Sequence, residues 1–138
     1  MCRKGDIILI KSYKHYSVVL PQHSFVVIDD RSGEINGLKY DFIALVMSSV
    51  KGKEQIKRKL RYPGNIFISS TERIITITSG GNRKNGYVKC DQFYFFTEEN
   101  LSYSIIGLFT DRAMNKIIQK VNTLISNGFQ IESITDNL

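Results

Sequence analysis

Up to Thr110 the apolar residues of this chain come only in short runs, and that brevity restricts the fold more than any other feature. The runs are Asp6-Ile7-Ile8-Leu9-Ile10-Lys11, Phe25-Val26-Val27-Ile28, Phe42-Ile43-Ala44-Leu45-Val46-Met47, Asn65-Ile66-Phe67-Ile68 and Arg73-Ile74-Ile75-Thr76-Ile77-Thr78, followed by segments 87–96 and 103–109. They are rich in β-branched and aromatic residues, and turn residues separate them: Ser32-Gly33, Asn36-Gly37, Pro63-Gly64 and Ser79-Gly80-Gly81-Asn82. Runs this short between such breakers form strands rather than helices.

One segment has a different period. After Thr110 and Asp111, which suit a helix cap and an acidic first turn, Ala113, Met114, Ile117, Ile118, Val121, Leu124 and Ile125 recur at three- and four-residue steps, and Gly128 stands where a helix ends. An apolar stripe of this kind must lie on a partner surface. The pattern predicts a mainly β fold with a C-terminal helix: a small, strongly bent antiparallel barrel with the helix across it, in a single domain over residues 1–138.

At 138 residues and 42% hydrophobic content the chain can bury a core without disulfides or a metal. No apolar stretch approaches the roughly 18 residues that span a bilayer, and the residues after Met1 do not form a secretory leader, so a soluble, cytoplasmic protein is expected. Cys2 and Cys90 are read as thiols, and with His15 and His23 they make no metal-ligand spacing. No metal or cofactor is expected.

The net charge of +6 is unevenly distributed. Between Ser48 and Arg61 stand Lys51, Lys53, Lys57, Arg58, Lys59 and Arg61 against Glu54 alone, a local balance of +5 in what reads as a loop. Concentrated positive charge attracts polyanions, nucleic acid foremost, through counterion release. A solvated loop that aids solubility is the plainer alternative.

The segment Gly86-Tyr87-Val88-Lys89-Cys90-Asp91-Gln92 carries the chemistry. On a continuous strand Lys89 and Asp91 would share one face, their Cα atoms roughly 7 Å apart, while Val88 and Cys90 turn inward. A carboxylate base beside a cation suits phosphodiester cleavage, although such pairs are ordinarily surface ion pairs.

With that segment in place, the chain resembles the PemK/Kid/MazF family, the ribonuclease halves of type II toxin–antitoxin modules. The matching pieces occur in order: Lys4-Gly5-Asp6-Ile7, Phe25-Val26-Val27-Ile28, Ile43 to Ser49, Gly86 to Gln92, and the helical segment 111–125. The resemblance implies an SH3-like barrel and a homodimer neutralised by a cognate antitoxin. It also implies metal-independent cleavage of single-stranded RNA to a 2′,3′-cyclic phosphate and a 5′-hydroxyl.

Kid-like members have Arg-Cys-Asp where this chain has Lys89-Cys90-Asp91, with the aspartate as base and the arginine as acid and phosphate partner. Lysine keeps the charge but loses the two-pronged donor. The family's Arg-Pro before the second strand is replaced by His23-Ser24, so His23 is a candidate acid. His15 lies near the place of a phosphate-supporting histidine, and Ser48 occupies a strand-end hydroxyl position. The expected site is thus Asp91 as base, Lys89 for electrostatics, His23 or His15 as acid and Ser48 on the phosphate. Lys51, Lys53, Lys57 and Arg58 would bind the RNA backbone, with Tyr16 as a stacking residue beside Tyr13, Tyr62 and Tyr94. An inactive RNA-binding barrel and a gyrase poison of the same fold are the alternatives.

Overall fold

A computed structural model describes the backbone of residues 1–76 and 84–138 and the side chains of 1–73 and 84–138. The elements run β1 (Asp6–Ile10), β2 (Tyr13–His15), β3 (Val18–Leu20), β4 (His23–Asp29), β5 (Gly33–Ile35), β6 (Leu38–Tyr40), β7 (Phe42–Ser49), α1 (Gly52–Lys59), β8 (Asn65–Ile68) and β9 (Arg73–Thr76). They continue with β10 (Gly86–Lys89), β11 (Gln92–Phe96), β12 (Tyr103–Phe109), α2 (Asp111–Ser126) and β13 (Glu132–Ile134). The protein is mainly β, with one large sheet in the order β13-β11-β7-β4-β1-β12-β9; β10 joins β7 and β8, and β2-β3 and β5-β6 form separate hairpins.

The central strands are apolar at nearly every position because both sheet faces are covered. In β1, Ile7 packs into a cluster with Val26, Leu45, Met47 and Val88 that the α2 residues Ala113, Met114, Ile117, Val121 and Leu124 close. Ile8 and Ile10 point the other way, into Tyr13, Phe25, Val46, Tyr94 and Phe96. The expected helix is present: the Thr110 hydroxyl accepts from the Ala113 N–H at 3.1 Å, and Gly128 follows the helix at φ 79°.

Four readings of the chain need correction. First, two stretches that read as loops from sequence, the polar and aromatic Ser12 to His23 and the turn-rich 31–37, hold the β2-β3 hairpin and the start of the β5-β6 hairpin respectively. The basic segment is a helix, α1, with no buried residue. A further strand, β13, follows α2 and pairs in parallel with β11. The fourth correction bears on the chemistry: the strand expected from Tyr87 to Phe96 is two strands. Val88 pairs with Met47 and Tyr94 with Ala44, so Leu45 and Val46 stand opposite the whole of residues 89–93. The extra residues bulge out in a turn at Cys90 and Asp91, and side-chain alternation does not carry across it. The Ser79-Gly80-Gly81-Asn82 turn and the end of the Arg73–Thr78 run lie outside the described residues.

Candidate functional site

Antiparallel pairing brings the start of β4, the end of β7 and the start of β10 together: Ser24 stands opposite Met47, and Ser49 opposite Gly86. At this junction a cleft of about 330 Å³ is lined by His23, Ser24, Ser48, Ser49, Gly86, Arg73 and Lys84, among others. Gly86 is dictated by close approach, since a Cβ there would sit 2.7 Å from the Ser48 carbonyl oxygen.

In the cleft, His23 Nδ1 lies 3.1 Å from the Pro21 carbonyl and 3.2 Å from the Tyr13 hydroxyl. A carbonyl only accepts, so this contact assigns the proton to Nδ1 and leaves Nε2 as the basic nitrogen of the neutral ring. Arg73 lies over the Phe109 ring at 6.0 Å, and burial lowers its pKa from the usual value, though a guanidinium stays charged. The recess is bordered by a histidine, serines and two cations, residue types that can bind a phosphate and move a proton beside it; Ser24 and Ser49 share the face of Leu9 and Met47, whereas His23 and Ser48 reach its rim from the far face.

A second group of polar side chains lies on the sheet face away from α2. Cross-strand partners project to the same side. Val88 and Met47 belong to the α2-facing cluster, so Tyr87 with Ser48, and Lys89 with Asn65, project from the opposite face. Lys59 Nζ sits 5.8 Å from the Tyr87 ring centre, and Asn65 Nδ2 donates to the Lys59 carbonyl at 2.9 Å, which places the end of α1 on that face. The last turn of α1 holds Lys57, Arg58 and Lys59, cations that also favour a helix C-terminus. Lys51 precedes the helix and, like Lys53, is exposed.

On the same face, the tip of the β2-β3 hairpin meets β13. Tyr16 donates its hydroxyl to Glu132 Oε2 at 2.5 Å, the Ser17 N–H donates to Asp136 at 2.7 Å, and Gln92 Nε2 reaches Glu132 Oε1 at 3.4 Å. His15 Nδ1 and the Tyr94 hydroxyl lie 2.7 Å apart. The Tyr16 hydroxyl above all holds the Glu132 carboxyl below its ordinary range; burial, the next influence, opposes it, and Gln92, His15 and Lys89 each add a smaller lowering effect.

The residues expected at the site are therefore distributed. His23 and Ser48 share the cleft; His15, Tyr16 and Lys89 gather around Glu132. Lys89 and Asp91 form no ion pair among the described residues. The Asp91 carboxyl instead packs on Gly64, where a Cβ would lie 2.3 Å from its Cγ, and its Oδ1 is buried without a hydrogen-bond partner. Tyr13 and Tyr94 are buried, whereas Tyr16 and Tyr62 are exposed and open to stacking. Arg73, Lys84 and Glu132 were not singled out from sequence. Arg73 reads there as the polar start of a strand and Lys84 falls between the Ser79-Gly80-Gly81-Asn82 turn and the next strand, and only the fold shows what each faces. Among the described residues no three His, Cys, Asp or Glu side chains are grouped to hold a metal ion, and no helix is long and apolar enough to cross a membrane. No protein-family model matches the chain, and no curated protein matches it.

Proposed function

We propose that this protein is a cytoplasmic endoribonuclease of the PemK/Kid/MazF toxin type, with the SH3-like barrel of that family. It would cleave single-stranded RNA without a metal and be held inactive, as a homodimer, by a cognate antitoxin. The observation that carries the reading is the cleft itself: His23 and Ser48, distant in sequence, line one recess with Arg73 and Lys84. In this scheme His23 Nε2 takes the 2′-hydroxyl proton as the O2′–P bond forms and the P–O5′ bond breaks. Arg73 and Lys84 stabilise the charge on the phosphorane, Ser24 or Ser49 donates to a phosphate oxygen, and Lys84 or solvent protonates the departing 5′ oxygen. The α1 cations hold flanking phosphates.

The test is incubation of end-labelled single-stranded RNA with the protein in EDTA. The wild type is expected to leave cyclic phosphate termini, and His23→Ala to lose activity by about a hundredfold or more. Asp91→Asn is expected to stay active, because its carboxyl rests against Gly64. Intact RNA after incubation with folded wild-type protein would refute the enzymatic reading. A second reading, RNA binding without cleavage, is favoured by the position of Asp91 against Gly64. It predicts salt-sensitive binding with no product.

A further inference from the structure

The Glu132 cluster is a constellation to which the proposed chemistry gives no task. A carboxylate, an amide and an exposed aromatic ring meet where β13, β11 and the β2-β3 tip converge, with the Lys89 ammonium on the same face and close enough to act electrostatically on the carboxylate. Glu132 is solvent-facing, and pairing of β11 with β13 sets Gln92 beside it in register. Tyr16 is 55% exposed, yet its ring is fixed by the bond to Glu132 and by edge-on contact with His15 at 4.6 Å between centroids. Tyr16 and Ser17 hold φ values of 49° and 69°, a left-handed pair without glycine that the surrounding hydrogen bonds keep in place.

Such a group matches one nucleobase edge. Guanine presents two adjacent donors, N1–H and N2–H, beside the acceptor O6. A carboxylate takes both donors, and a neighbouring ammonium or amide N–H meets O6. Adenine sets an acceptor, N1, beside its amino group, cytosine likewise sets N3 beside its amino group, and uracil has a single donor between two acceptors; each leaves Glu132 facing a lone pair. Each carboxylate oxygen has capacity for a second bond, so the Tyr16 hydroxyl does not exhaust Oε2. A ring already held in place loses little freedom when a base stacks on it.

We propose that Glu132, Gln92 and Lys89, with Tyr16 as stacking platform, form a guanine-reading pocket that selects the RNA bound along this face. This inference rests on the RNA-binding reading above and adds its base specificity. A bidentate pair of this kind discriminates by about tenfold or more.

The experiment measures fluorescence anisotropy of two single-stranded oligouridylates, alike but for one central guanosine or adenosine. Wild-type protein is expected to bind the guanosine oligomer about tenfold more tightly. Glu132→Gln keeps an acceptor for Tyr16 but adds an N–H₂ donor, and is expected to abolish the preference or turn it toward adenosine. Tyr16→Ala is expected to weaken both oligomers alike, by about tenfold. Equal binding of the two by wild type, or a guanosine preference that survives Glu132→Gln, overturns the pocket and leaves RNA binding standing. Binding of neither oligomer overturns both.

Discussion

Among the described glycines, Gly64 is the one at which an added Cβ would meet a neighbour most closely, 2.3 Å from the Asp91 Cγ, and this packing ties the bulge at Cys90 and Asp91 to the start of β8 together with the Cys90 N–H bond to the Gly64 carbonyl at 2.8 Å. Gly64→Ala would drive a methyl group into the carboxyl, and is expected to cost about 1–3 kcal/mol in urea denaturation. In an Asp91→Ala background that cost should largely vanish, because the obstructing group is gone. The cysteines make a separate prediction. Burial pushes the Cys2 and Cys90 thiols up to about 12, so neither supplies thiolate at neutral pH. Both should resist thiol reagents until the protein is unfolded. Glu132 behaves oppositely, since its folded pKa is depressed. Its contribution to anchoring the hairpin is present above the ordinary glutamate range and is lost as pH falls through the lower folded value. The Tyr16 ring resonances should therefore shift on acidification below that range, and Glu132→Gln should remove the titration.

At the scale of elements, the chain announces what is buried and conceals what is held by polar contacts. The buried strands β1, β4, β7, β8 and β12 were legible because each is a short apolar run. The helix α2 was legible because its cap, stripe and terminal glycine agree. Thr110→Ala should cost about 1 kcal/mol, and Ile117→Ala about 2–5 kcal/mol, by thermal or chemical denaturation. By contrast α1 buries nothing, so no apolar period marked it. The β2-β3 hairpin carries exposed Val18 and Val19 and is fixed by Glu132, Asp136 and Asn137, partners more than a hundred residues away. Pattern reading cannot see such partners. The same reason explains the site: His23 and Ser48 were found as single residues, but the cleft depends on β4, β7 and β10 meeting at their ends. The Lys89 and Asp91 spacing was misread because a bulge looks like unbroken strand when the flanking residues are aromatic and β-branched.

At the scale of the whole molecule, one group of cations gathers on the side away from α2, although Arg112, Lys116 and Lys120 stand on that helix itself. Lys89 and α1 share the face away from α2, and Arg73 and Lys84 line the cleft at its edge. Affinity for single-stranded RNA should fall linearly in log–log form with salt, with a slope near −0.7 for each phosphate neutralised. Replacing Lys57 and Arg58 together by alanine should make that slope shallower without altering the melting temperature, as anisotropy titrations and calorimetry would report. The amino-terminal strand β1 lies between β4 and β12, with Ile10 opposite both His23 and Tyr103. During synthesis β1 leaves the ribosome well before β12 and must keep one edge unpaired until residues beyond 100 emerge. Closure over so long a loop is slow. Completion of the sheet around β1 should therefore wait on the synthesis of β12, with the exposed isoleucine strand a natural client for chaperones in the interval.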